Sequence, residues 1–141
     1  MPSRRSRPAR ADSTTVRSEQ KQVALRSGRA AEAAVASDLA RQGLSILATN
    51  LRLGRLELDV VARDGDTVIV VEVRHRGANA WQTGLESIMP AKAKRVRAAG
   101  ERLWRERFLR DARVNRMRFD VAVVTFESNG EPRIEYARGV F

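Results

Sequence analysis

The stretch from Arg55 to Arg76 constrains the fold more than any other, because two runs of β-branched and apolar residues meet there at Asp64-Gly65. Asp-Gly between such runs predicts a β-hairpin, since a two-residue type I′ turn needs positive φ at both central positions. The second run, Val68 to Val73, is apolar on both faces, as expected of a strand buried in the middle of a layered domain. Glu72 alone interrupts it. A carboxylate in that setting is costly unless it is paired or bound to a cation.

Pairing Arg63 with Asp66 across the turn sets Glu57 opposite Glu72 and Asp59 opposite Val70. Side chains alternate along a strand, so Glu57, Asp59 and Glu72 then share one face, about 5 to 7 Å apart. Like charges this close push at least one pKa upward. A three-residue turn would instead move Glu72 opposite Leu58 and scatter the acids.

Composition narrows the chemistry. A chain of 141 residues suits one domain, and its 43% hydrophobic content is ordinary for a soluble protein. No run approaches the roughly 18 apolar residues of a membrane span, so no membrane partner is expected. The absence of cysteine excludes disulfides, thiolate zinc sites and a cysteine nucleophile. The single histidine, His75, excludes a histidine-rich metal site and reads as an exposed strand-end residue. A net charge of +10 points to polyanions. Its distribution says more: residues 1–30 and 88–118 are strongly basic, whereas 31–87 and 119–141 each carry a net −2.

Residues 1–26 are rich in Arg, Ser, Pro and Thr and are expected to form a basic, disordered arm, with the folded domain spanning 27–141. The arm either solubilises the chain or adds phosphate contacts. No apolar segment follows Arg4-Arg5, so export is not expected. Ala31, Val35 and Leu39 predict a helix from Ser27 to Arg41, capped at Gly43, with Glu32 at the edge of its apolar stripe. Ser45 to Leu53 reads as a strand that Gly54 turns into the hairpin. A loop from Gly77 to Glu86 follows, its Trp81 covering core. Ser87 and Pro90 open a second helix, with Val96, Ala99, Leu103 and Phe108 facing inward. The cations Lys92, Lys94, Arg95, Arg97, Arg102 and Arg105 outnumber Glu101 and Glu106 on it, which favours phosphate binding over an ordinary solvated face. Met117 to Phe126 reads as a central strand parallel to Val68–Val73, and Asn129-Gly130 turns it into a last strand at Arg133–Tyr136. The expected class is α/β, with a central mixed sheet flanked by helices in the order α-β-β-β-α-β-β.

Glu57-Leu-Asp59, the thirteen-residue step from Asp59 to Glu72, and Glu72-Val-Arg74 resemble the core motif of the PD-(D/E)XK nuclease superfamily. Over residues 27–141 the chain is most similar to the YraN-type predicted endonucleases of bacteria, distant relatives of archaeal Holliday-junction resolvases. Further points of similarity are Gly28 with Glu32, Gly43 and Ile46-Leu47 followed by Asn50 and Arg52, Lys92 with Arg95, and Arg118-Phe119-Asp120. The last of these also fits a plain ion pair at a strand start. The resemblance implies a restriction-endonuclease-like core in a bacterial cytoplasm. It implies metal-dependent hydrolysis of phosphodiester bonds in DNA, branched or structured DNA included, with structured RNA as a further partner and a homodimer allowed. Asp59 and Glu72 would hold Mg²⁺ or Mn²⁺, with Glu57 and Glu32 as outer ligands or orienters. Lys92 and Arg95, with Lys94 and Arg97, would bind the nucleic acid.

The chain departs from the motif at one position. Arg74 stands where the superfamily has a lysine, and a guanidinium, with its pKa above about 12, cannot act as a base. It can still clamp a phosphate oxygen and stabilise transition-state charge. Lys92 is a candidate for the missing amine. The alternative reading is a non-catalytic nucleic-acid-binding or adaptor protein that keeps the nuclease fold.

Overall fold

The computed structural model describes residues 13–76 and 90–141. Helix α1 spans Ser13–Arg41, and strands β1 (Ser45–Leu53), β2 (Leu56–Asp64) and β3 (Thr67–Arg76) follow it. Helix α2 (Pro90–Leu103) runs into a π-helical turn, Trp104–Phe108, and β4 (Arg116–Phe126) and β5 (Pro132–Ala137) end the described chain. The strands form a mixed sheet in the order β1-β2-β3-β4-β5. All neighbours are antiparallel except β3 and β4. A parallel pair cannot be joined by a tight turn, and α2 lies on the crossover between the two strands. The element order and mixed sheet are those the sequence predicts, and they are consistent with a restriction-endonuclease-like core.

One helix packs on each face, and the alternation of the central strands serves both. Ile69 and Val71 of β3 pack with Ala31, Val35 and Leu39 of α1. Val68 and Val70 pack with Val96, Ala99 and Leu103 of α2. The phenol of Tyr136 on β5 donates to Asp38 of α1 at 2.6 Å, tying the helix to the far edge of the sheet. On the opposite face α2 approaches β4 closely at Gly100. A Cβ built there would lie 2.6 Å from the Phe119 ring, and Arg97 rests over that same ring at 5.5 Å.

Three local features differ from expectation, the first two for identifiable physical reasons. Helix α1 begins at Ser13 and not at Ser27, so it runs through the segment expected to be an arm without regular structure. Nucleation is the costly step of helix formation, and the packed half around Val35 supplies it. Good helix formers such as Gln20, Lys21 and Gln22 then extend the helix without burying apolar surface. The β2–β3 turn also differs, because Asp64 pairs with Thr67 and leaves Gly65 and Asp66 as the central residues. Gly65 takes φ +57° while Asp66 is not in the positive-φ region. That is the pattern of a II′ turn, which puts the left-handed conformation on glycine alone, where the expected Asp64-Gly65 turn would have imposed it on an aspartate too. Finally, β1 carries a bulge between Ile46 and Ala48.

Gly100 and Gly28 give opposite tests of this packing. Gly100→Ala must displace the Phe119 ring and should lower the unfolding free energy by about 1 to 3 kcal/mol. Gly28, within α1, has nothing within 4 Å of its virtual Cβ. Gly28→Ala should raise stability by about 0.4 to 1 kcal/mol. Urea denaturation of the two variants beside the parent chain checks both signs.

Candidate active site

The register of the hairpin decides where the acids meet. Val60 pairs with Val71, Ala62 with Ile69 and Asp64 with Thr67. This pairing is shifted by two residues from the one the sequence suggested, which had Glu57 opposite Glu72 and Asp59 opposite Val70. In a regular ladder an even shift preserves the face of every side chain. Leu58 and Val61, however, both pack on the α2 side with Val60 on the other, so the alternation of β2 breaks around Asp59. The expected single face for Glu57, Asp59 and Glu72 is not kept. The same count, continued past the last paired residues, brings Asp59 beside Glu72 and Glu57 beside Arg74. Beyond Val60 and Val71 the regular ladder stops, and the Val73 amide donates to Asp59 Oδ2 at 2.9 Å.

Glu72 lies on the α2 face of β3 with its side chain only 3% exposed, and Lys92 Nζ of α2 sits 2.6 Å from Glu72 Oε1. Burial pushes the Glu72 carboxyl up to about 7, and the neighbouring Asp59 charge pushes it the same way. Lys92 opposes both and does not cancel them. Glu32 reaches Asp59 from α1, on the other side. Its carboxyl is raised to about 6, by burial first and then by the charge of Asp59, while a hydrogen bond with the Asn50 side chain pulls it down. Glu32 Oε2 is buried with no hydrogen-bond partner. Asp59 thus has Glu72 and Glu32 as neighbours from two other elements, whereas Glu57, expected opposite Glu72, lies on the rim of the site.

Among the described residues no three acids or histidines form a ready-made metal cage. Mg²⁺ commonly takes only one or two carboxylates and completes its shell with water and phosphate.

Two cavities open beside the acids, and Glu57 lines both. The first, about 320 Å³, is bounded by Glu57, Asp59, Glu72, Lys92, Arg95 and Arg55. The second, about 530 Å³, is bounded by Glu57, Glu32, Asn50, Arg29 and Arg52. Of the four expected nucleic-acid-binding cations, Lys92 and Arg95 are brought to the acids. Lys94 is exposed away from them, and Arg97 is stacked over Phe119. Arg74 is half-buried on β3, two residues past Glu72.

The model of the uncharacterised protein family UPF0102 matches residues 31–124, from the packed half of α1 through most of β4. The chain belongs to the UPF0102 family. It is 53% identical over 114 residues to the UPF0102 protein sce2912 of Sorangium cellulosum, covering 81% of this chain and 79% of that protein. It is 41% identical over 115 residues to the UPF0102 protein PA4424 of Pseudomonas aeruginosa, covering 81% of this chain and 90% of that one. The span matched to UPF0102 contains Glu32, Asp59, Glu72, Arg74, Lys92 and Arg95.

Arg29, Arg52 and Arg55 were not singled out as site residues by sequence reasoning. The signals were available. Arg29 is three residues from Glu32 on a helix, hence on the same face. Arg52 and Arg55 flank Gly54, and the β1–β2 register sets Arg52 across from Glu57. Arg118 and Asp120 lie outside both cavities. Asp120 accepts from Arg118 and from the Gly139 amide, so the pair anchors the chain end. Ser87, Trp81 and the Gly77–Glu86 loop fall outside the described residues.

The raised Glu72 pKa has a measurable sign. The unfolded chain ionises this group near its ordinary value of 4.5, while the folded chain keeps the proton until about 7. Its contribution to stability therefore falls as pH rises between those values. Glu72→Gln should gain stability relative to the parent chain over that window. Parallel urea titrations in a chelator at pH 4.5 and pH 7 measure the difference.

Proposed function

We propose that this chain is a divalent-metal-dependent endonuclease that hydrolyses phosphodiester bonds in DNA, branched or structured DNA included. The observation that carries the reading is the convergence of Asp59, Glu72 and Glu32 from three elements, beside the cations of α2. Asp59 lies between two carboxyls with raised pKa values, Glu72 on one side and Glu32 on the other, and a cation beside it would relieve their repulsion. The donor set fits Mg²⁺ or Mn²⁺, since it is all oxygen and the buried Glu32 Oε2 still lacks a partner. Asp59 and Glu72 would hold the ion, with Glu32 reaching it through water and Glu57 orienting from the rim. A bound metal lowers the pKa of a coordinated water and neutralises charge on a phosphate.

The remaining steps fall to the chain itself. Arg95 and Arg55, on the walls of the same cavity, draw in the phosphate backbone. Arg74 carries a fixed positive charge and forked donors, suited to holding a phosphate oxygen as charge builds on it. Lys92, already within hydrogen-bond distance of Glu72, brings an amine to the acids from α2. The second reading is an adaptor that binds nucleic acid without cutting, and the arginine at position 74 favours it.

Purified protein incubated with a panel of branched and single-stranded DNA in Mg²⁺ or Mn²⁺ separates the two readings. The nuclease reading expects cleavage that Asp59→Ala and Glu72→Ala abolish while sparing binding. Binding without cleavage in either metal supports the adaptor, and cleavage surviving both substitutions removes the assigned site.

A further inference from the structure

The 530 Å³ cavity on the α1 side of Glu57 holds two arginines that the metal reading leaves unused. Arg52 is the direct cross-strand neighbour of Glu57, and Arg29 lies one turn before Glu32 on α1. Opposite charges so placed ordinarily pair. Here they do not: among the described residues neither arginine forms an ion pair with Glu32, Glu57 or any other acid.

The acids are engaged elsewhere. Glu32 is hydrogen-bonded to the Asn50 side chain and turned towards Asp59. Asn50 holds φ +50°, the one positive-φ non-glycine among the described residues. That conformation is strained for most side chains, and asparagine tolerates it better than most. The Asn50 side chain is thus held by Glu32, and both arginines line the cavity. Each offers five N–H donors in a planar fork that matches phosphate.

We propose that Arg29 and Arg52 form a phosphate-binding subsite for a nucleic-acid strand that crosses the acids. The strand would leave the α2 side, where Lys92 and Arg95 line the first cavity, pass over Glu57 and meet Arg29 and Arg52 on the α1 side. Cations then flank the acidic centre on both sides, so the backbone is held before and after the phosphate at the acids. The subsite rests on the reading of the chain as a nucleic-acid-binding protein.

The test is binding of the full chain, in chelator, to a labelled single-stranded oligonucleotide and to a forked duplex across about 50 to 200 mM salt. Arg29→Ala/Arg52→Ala should reduce the slope of log K against log salt by about 1.4 on the single strand, roughly 0.7 for each lost phosphate contact. Arg29→Lys/Arg52→Lys should keep most of that slope, since the charge remains. Arg133→Ala on β5, outside both cavities, should leave it unchanged. Both arginines are exposed, so the fold should survive, and circular dichroism with the unfolding midpoint verifies this. An unchanged slope in the double alanine variant, with the parent chain still binding, overturns the subsite alone. A parent chain that binds neither nucleic acid overturns the subsite and the proposed function together.

Discussion

The Val73 amide donates to Asp59 Oδ2, and the rest of the site depends on that replacement of a backbone carbonyl by a side chain. Up to Val60 and Val71 the hairpin bonds as an ordinary antiparallel pair. The next donor on β3 finds a carboxylate, and a bond from a neutral donor to an ionised oxygen is stronger than one to a carbonyl. The bond holds Asp59 at the mouth of the sheet beside Glu72. Glu32 approaches from the opposite layer and Lys92 from the helix across. The scaffold thereby concentrates negative charge where its low-dielectric walls make that charge hardest to keep.

The sequence carried the layers more faithfully than the register. Val68–Val73 read as a central strand because it is apolar on both faces, and Ile69 and Val71 do face one helix while Val68 and Val70 face the other. The acids were legible for the same reason, since alternation fixes a side chain's face whether or not its partner is known. The partner itself depended on which residue of Asp64-Gly65-Asp66 takes positive φ, and the dipeptide signal fits more than one turn type. The shift was an even number of residues and by itself keeps every face. Leu58 and Val61, however, both pack on the α2 side with Val60 on the other, so alternation breaks around Asp59 and Glu57 does not share one regular face with Glu72. The start of α1 was illegible for a different reason: the side chains from Ser13 to Val23 are exposed apart from partly buried Val16, so apolar periodicity had little to report there. The second cavity was missed because Arg29, Asn50 and Arg52 come from two elements whose contact is a property of the fold. The Arg29–Glu32 spacing on α1 and the Arg52–Glu57 pairing across Gly54 were each within reach of local reasoning, but not their meeting.

A net charge of +10 points towards polyanions, but the arrangement of charge is more specific. The acids sit between two sets of cations, Lys92 and Arg95 on one side and Arg29 and Arg52 on the other, with Glu57 on the boundary. A uniformly basic face would attract a phosphate backbone with no preferred register. An acidic centre inside a basic frame repels the backbone at one place and attracts it on either side. A cation at the centre would turn that one repulsive place into the preferred one.

The charge balance of the centre is set partly by packing at a distance. Lys92 is eight residues before Gly100 on α2, about 12 Å along the helix. Gly100 is the point of closest approach between α2 and β4, where even a methyl group would overlap the Phe119 ring. Any side chain at position 100 must move the ring or lift the helix from the sheet. A lift of about 1 Å at that point, carried along a rigid helix, would stretch a 2.6 Å contact between Lys92 and Glu72 beyond a good hydrogen bond. Glu72 would then be buried beside Asp59 without its ammonium partner, and its carboxyl would be driven further towards the protonated form. A side chain in place of this glycine would thus act on the Lys92–Glu72 pair from a distance.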